Sequence, residues 1–208
     1  MTRGNFRLYA GNMFANKTSQ VMSDVERLRE FGKKRILVLK PTTDTRSGNG
    51  HIMDHHQNTM EAIEVPATNP HSVFNIIKEQ ERALGRRFDV LVFDEIQFFS
   101  ITSCFFQVVD ALLERGYDII AAGLALDFKR EPFGATLLLV GLCKRSQDFV
   151  LLTSYCSKCG REALLPQRII NDRPAPYDSP QILVGGSETY EARCYECHEL
   201  PSRPMLFF

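Results

Sequence analysis

One segment near the N-terminus limits the folds open to this chain more than any other feature. Gly11-Asn12-Met13-Phe14-Ala15-Asn16-Lys17-Thr18 lies between a short apolar run, Phe6 to Ala10, and an amphipathic stretch, Thr18 to Phe31. This is the pattern G-x4-G-K-[ST] of a phosphate-binding loop, with Asn16 in place of the second glycine, in the strand–loop–helix context that such a loop requires. Successive backbone N–H groups must curl round phosphates at a helix N-terminus. Lys17 would supply the ammonium for the β and γ phosphates and Thr18 the hydroxyl for Mg2+. Position 16 calls for a positive φ, which asparagine reaches more cheaply than most side chains. The competing interpretation is a chance helix N-terminus with an exposed lysine, which would need no partner motif.

A partner motif is present. Phe88-Asp89-Val90-Leu91-Val92-Phe93 reads as a strand buried on both faces, and it runs into Asp94-Glu95. A carboxylate at the end of such a strand can hold Mg2+ directly or through water. Adjacent carboxylates in different environments can divide their tasks. Asp94 is therefore assigned to the metal and Glu95 to the base that accepts a proton from an attacking hydroxyl or water. On these residues alone the reaction is nucleotide hydrolysis or phosphoryl transfer to a small alcohol.

The rest of the N-terminal part alternates strand and helix. Val21, Met22, Val25 and Leu28 repeat at helical spacing until Gly32. Arg35 to Leu39, Ala62 to Val65, Asp118 to Ala122 and Asp148 to Thr153 read as strands, and Pro70 to Leu84, Ser103 to Arg115 and Pro132 to Leu142 as helices. Pro41 to Asn58 is polar and reads as a long loop. The order gives repeated β-α units, hence an α/β fold of the P-loop NTPase kind with a mostly parallel sheet flanked by helices.

The six cysteines divide unevenly. Cys104 and Cys143 stand alone in apolar surroundings and are expected as core thiols. Cys156-Ser157-Lys158-Cys159 and Cys194-Tyr195-Glu196-Cys197 are two C-x2-C knuckles, the spacing of a zinc site. A redox dithiol is the alternative. His198 could replace Cys197 as a ligand, although Cys156, Cys159, Cys194 and Cys197 make the simpler set. Four thiolates leave no open position, so the zinc would be structural. Beyond Thr153 the chain turns rich in proline, with Gly185-Gly186 between the knuckles. The expected division is a nucleotide-binding part, 1–153, and a small C-terminal zinc lobe, 154–208, with a substrate-covering loop.

Lys+Arg and Asp+Glu balance at 25 each, which gives no support to nucleic-acid binding by bulk charge. A hydrophobic content of 44% argues against disorder. No signal-peptide pattern or stretch of membrane-spanning length is visible, and a reducing cytoplasm is the expected location with no membrane partner.

Taken together, these segments resemble the small, zinc-containing (type II) thymidine kinases from Phe6 to about Leu200. The resemblance is carried by Met13-Phe14 inside the loop, Asp44-Thr45-Arg46, Asp94-Glu95-Ile96-Gln97-Phe98-Phe99, Gly123-Leu124 with Asp127-Phe128, Glu131-Pro132-Phe133-Gly134, and the run Gly185 to Cys194. It implies transfer of a phosphoryl group from ATP to the 5′-hydroxyl of thymidine, giving dTMP, with deoxyuridine as a second acceptor. It implies that Glu95 is the base, with Lys17, Arg46 and Arg168 at the transferring phosphate. Gly11 to Thr18, Asp44, Asp94 and Gln97 would serve ATP and its Mg2+, held by Thr18 and Asp94. Met13, Phe98, Leu124, Phe128, Phe133 and Tyr190 would wall the thymine pocket. Ile182, Val184 and Gly185 would hold the base from the loop Gln181 to Ser187. Relatives of this type are cytosolic homotetramers commonly inhibited by dTTP. The chain departs from them at Asn16, at Ala125 (where bacterial relatives usually carry aspartate), at Lys129-Arg130 (in place of a common Arg-Gly) and at the doubled His55-His56. Asn16 motivates an alternative, a weak or non-catalytic nucleotide sensor on the same fold, and a small P-loop ATPase is a third reading.

Overall fold

The strands of this chain are apolar on both faces because the sheet they form is covered on both faces. The computed structural model describes residues 2–44, 50–182 and 189–204. Its elements run β1 (Phe6–Gly11), α1 (Lys17–Glu30), β2 (Ile36–Pro41), β3 (His51–Met53), β4 (Thr59–Glu61), β5 (Ile63–Val65), α2 (Ser72–Leu84), β6 (Val90–Phe93), α3 (Phe105–Glu114), β7 (Asp118–Leu124) and β8 (Phe149–Leu152). One six-stranded sheet has the order β5-β2-β6-β7-β1-β8, every pairing parallel. Successive strand residues point to opposite faces. Phe6, Leu8, Leu37, Leu39, Leu91 and Phe93 pack with Val73 and Ile77 of α2 and Val108 and Leu112 of α3. Tyr9, Ile36, Val38, Val90 and Val92 pack on the other side with Val21, Met22 and Val25 of α1.

The parallel pairing brings the strand ends that matter to one edge of the sheet. Gly11 pairs with Leu124 and with Leu152, and Phe93 pairs with Ala121. The loops after β1, β6 and β7 therefore leave the sheet side by side, at the carboxyl ends where open α/β sheets bind ligands. Between Phe93 and Phe99 the chain makes a tight turn with a short 3-10 helix, Ile96–Phe98. Phe105 of α3 grips both ends of this turn: its ring stacks on Phe99 at 3.9 Å and meets Phe93 edge-on at 5.5 Å.

Three expectations need correction. Pro41 to Asn58 is not all loop. His51–Met53 pairs antiparallel with Thr59–Glu61, and this hairpin covers the α1 face with Ile52 and Met60. Each strand buries only its central residue, too little apolar signal to stand out among polar neighbours. Pro132 to Leu142 is not an α-helix but a 3-10 segment over Leu137–Leu142, preceded by Gly134 at φ 52. Cys104 and Cys143 are only half buried at the rim of the core, and the Cys104 Sγ lies 2.9 Å from His71 Nδ1.

The C-terminal part, expected as a small zinc lobe with an extended loop between the knuckles, contains strands. β9 (Ser154–Tyr155) and β10 (Glu162–Ala163) form a small hairpin. β11 (Leu165–Ile170), β12 (Arg173–Pro174) and β13 (Thr189–Arg193) form an antiparallel sheet in the order β12-β11-β13.

Because Phe105 is fully buried and holds Phe93 and Phe99 together, Phe105→Ala is expected to cost about 3–5 kcal/mol, read as a lower urea midpoint at an unchanged slope.

Candidate active site

The phosphate-binding loop closes on two left-handed residues. Asn16 lies at φ 55, ψ 29, as position 16 requires, and its side chain is exposed; Phe14 lies at φ 64. Gly11 is required for close approach, since a Cβ there would stand 2.3 Å from the Leu152 carbonyl oxygen. Lys17 Nζ donates to the Asn12 carbonyl at 2.6 Å. Thr18 Oγ1 donates to Asp94 Oδ2 at 3.0 Å, so the loop hydroxyl and the strand-end carboxylate meet across β7.

Asp94 is buried, and its carboxyl is pushed up to about 7, first by loss of solvent and then by the neighbouring Glu95 carboxylate. A divalent cation at this place would reverse that balance. Asp94 Oδ1 accepts the Glu95 N–H at 3.0 Å. Glu95 is half buried at φ 54. Gln97 Nε2 donates to Glu95 Oε2, and Gln97 Oε1 accepts the Leu124 N–H at 3.0 Å. Gln97, expected at ATP and its Mg2+, is thus an internal bridge between Glu95 and the end of β7. Asp44 is buried and lines the same cleft as Met13, Lys17, Thr18, Asp94 and Glu95. Arg46, Val184 and Gly185 lie outside the described residues.

Sequence reasoning missed the hairpin's part in this cleft. Ser19 Oγ donates to Asp54 Oδ2 at 3.0 Å, and the His55 ring stacks on Phe14 with centroids 4.9 Å apart. Asp54 Oδ1 also accepts the N–H groups of His56 and Asn58, each at 2.9 Å. An aspartate followed by polar residues and Asn58 is a turn signal, and it could have located the hairpin tip.

Of the residues expected to wall the thymine pocket, Phe98 and Phe133 meet edge to face at 6.0 Å, and Leu124 ends β7. Phe128 is buried, with the Arg168 guanidinium 4.1 Å above its ring. Arg168 was expected at the phosphates; in this structure three of its N–H groups, one on each guanidinium nitrogen, are engaged within the C-terminal lobe. It donates to the carbonyls of Pro180 and Gln181 and to Tyr190 Oη, and it is 2% exposed. It anchors the segment before Ile182, which is itself exposed. Gln181 Nε2 adds a 2.7 Å bond to Asp127 Oδ2.

The cysteine cluster is compact. The Sγ atoms of Cys156, Cys159, Cys194 and Cys197 all lie within 4.8 Å of one another, and Cys159 and Cys194 are 3.6 Å apart. A tetrahedral zinc with bonds of about 2.3 Å needs sulfurs about 3.8 Å apart, so the set fits a structural zinc site. Convergence of all four on one point argues against two redox pairs. His198 is not a fifth candidate. Burial and Arg130 hold its imidazole down to about 4, its Nδ1 accepts from Arg130 Nε at 3.1 Å, and its Nε2 faces the Pro166 carbonyl at 3.3 Å. The lobe is tied to the phosphate loop through buried Asn12, whose Nδ2 donates to the Ala163 carbonyl at 3.1 Å and whose Oδ1 accepts from Ser154 Oγ at 3.0 Å.

A parallel sheet with a phosphate loop after β1, and an acidic pair after β6, defines a P-loop nucleotide-binding protein built for phosphoryl transfer. The thymidine kinase family profile matches residues 4–198. A thymidine kinase of Thermococcus kodakarensis is 37% identical over 198 residues, covering 95% of each chain. One of Coprothermobacter proteolyticus is 39% identical over 207 residues, covering 99% of this chain and 96% of its own length. The chain belongs to the thymidine kinase family, and its activity is the ATP-dependent phosphorylation of thymidine to dTMP.

The purified protein is expected to carry one zinc per chain by elemental analysis. Stripping the metal should lower the melting temperature by on the order of 10 °C, because a ligand bound only to the folded state adds several kcal/mol. It should also weaken ATP binding in equilibrium titrations, since Ala163 and Ser154 would release Asn12.

Proposed function

We propose that Glu95 is the general base on the thymidine 5′-hydroxyl and that the cleft between the phosphate loop and Asp94 holds the ATP phosphates. The observation that carries this reading is the Thr18–Asp94 hydrogen bond with Glu95 beside it. Thr18 and Asp94 would hold Mg2+, which when bound neutralises charge on the β and γ phosphoryl oxygens. Lys17 swings from the Asn12 carbonyl to the phosphates as they enter, and the loop N–H groups take the remaining oxygens. Asp44 stands at the far wall of the cleft, and Arg46 would close the phosphates from the segment after it. Glu95 takes the hydroxyl proton as the oxygen attacks in line with the departing ADP.

Leu124, Phe98, Phe128, Phe133, Met13 and Tyr190 form the apolar wall for the thymine ring in this reading. The family resemblance assigns Ile182, Val184 and Gly185, in the loop from Gln181, to holding the base through backbone groups and to excluding water from the γ-phosphate. Arg168 contributes by anchoring the start of that loop. The division of labour follows residues 1–153 for the donor and 154–208 for the cover. Deoxyuridine, smaller than thymidine by one methyl, fits the same wall as a weaker acceptor. dTTP as a feedback inhibitor, a homotetramer and a cytoplasmic location complete the proposal. Among the described residues no helix is long and apolar enough to cross a membrane.

Two substitutions test these roles. Glu95→Gln should lower kcat for dTMP formation by about 10²–10⁴ while ATP binding persists, measured by a radiochemical kinase assay and by titration. Retention of full kcat would remove Glu95 from the chemistry. Asn16→Gly should change kcat by less than about fivefold, because asparagine already occupies the left-handed position. A gain of several orders would mean that the asparagine holds the loop back.

A further inference from the structure

Gln97 makes contacts on both sides that fix its orientation. The Leu124 N–H can only donate, so the Gln97 carboxamide must turn its oxygen to it, at 3.0 Å. The amide nitrogen is then forced toward Glu95 Oε2, to which it donates. The side chain is 2% exposed, and its backbone is boxed in. A Cβ on Gly134 would stand 1.9 Å from the Gln97 carbonyl oxygen, and one on Gly123 would stand 3.0 Å from Oε1. Glu95 sits at φ 54, where a glutamate persists only if its surroundings hold it. Asp94 Oδ1 holds its main chain, and Gln97 Nε2 holds its carboxylate.

We propose that Gln97 is a positioning residue for the phosphoryl transfer: it aims the Glu95 carboxylate through Nε2 while locked to the acceptor wall through the Leu124 N–H, and it does not act by contacting ATP. This rests on the reading of Glu95 as the base. The proximity that base catalysis needs is steep in distance, so loss of aim lowers the rate without lowering affinity.

Gln97→Glu keeps the side-chain shape and an acceptor for Leu124 but sets a second carboxylate against Glu95, so kcat is read across pH: a loss of aim persists on the alkaline plateau, whereas a loss due only to a raised Glu95 pKa recovers there. The expected result is a fall in kcat of about tenfold to a hundredfold, with KM for ATP and thymidine within about threefold of the parent. Gln97→Met removes both contacts and should add a higher thymidine KM to the same loss of kcat. In a Glu95→Gln background, Gln97→Glu should have almost no further effect on kcat, since nothing remains to aim. An unchanged kcat in Gln97→Glu would overturn the proposal, and so would an equal loss in the Glu95→Gln background. A raised ATP KM at constant kcat would return Gln97 to the donor site. Full activity of Glu95→Gln alone would sink the base reading and this proposal together, whereas the other outcomes against it leave that reading standing.

Discussion

The hydrogen bond from Thr18 to Asp94 is the contact around which the site is arranged. Its two residues follow β1 and β6, which are not neighbours in the sheet, because β7 lies between them. They meet because all three strands run parallel toward one edge of the sheet: β1 and β7 end together, with Gly11 against Leu124, and β6 ends three residues earlier, with Phe93 against Ala121, so that Asp94 lies beneath the phosphate loop. A slip of one residue in either pairing would turn strand side chains to the wrong face and move the strand ends apart. The packing of both faces, with α1 on one and α2 and α3 on the other, is what fixes that register. Activity thus depends on apolar contacts that touch no substrate, the Phe105 grip on Phe93 and Phe99 among them.

The zinc lobe enters the same arrangement from the other side. Asn12, inside the phosphate loop, is held by Ser154 and Ala163 of the first knuckle's hairpin. Asp127 reaches Gln181, and Arg130 reaches His198 just beyond the second knuckle. Arg168 reaches back across β11 to the carbonyls of Pro180 and Gln181. A metal that draws four thiolates together therefore fixes more than a small lobe. It fixes the wall on which one P-loop residue leans and the base of the segment that carries Ile182.

Much of the fold was legible because its signals are strong and local. A run such as Val90 to Phe93 has few alternatives to a buried strand, and α1, α2 and α3 each carry clear periodicity. The hairpin of β3 and β4 was hidden because one buried residue per strand gives no pattern, and the strands of the lobe were hidden because they are short and rich in charged side chains. Lys17, Thr18, Asp94 and Glu95 share one cleft, a grouping that type and spacing suggest because phosphate and metal chemistry leave few substitutes. The contacts of Arg168 with two carbonyls have no such signal. A guanidinium is equally suited to a phosphate and to two carbonyls, and only the fold decides which it meets. Asp54 and His55 were missed for a related reason, since their neighbours Ser19 and Phe14 lie far from them in sequence.

Among the described residues nine non-glycine positions have positive φ, and four of them bear on the site: Phe14, Asn16 and Glu95 in the cleft, and Arg130 on the turn that faces the C-terminal lobe. Each is held by something beyond its own preference: Phe14 by the His55 ring, Glu95 by Asp94 and Gln97, and Arg130 by the ring nitrogen and carbonyl of His198. Asn16 needs the least support, because asparagine tolerates this region best. Arg130 is the most informative of the four. A glycine at this position would relieve the backbone, but it would also remove the two bonds to the residue beside Cys197. The arginine therefore exchanges local ease for a direct tie between the turn at Asp127, which secures Gln181, and the second cysteine knuckle. That exchange stabilises the molecule only while the knuckle is itself held in place, so the strained turn and the cysteine cluster depend on one another.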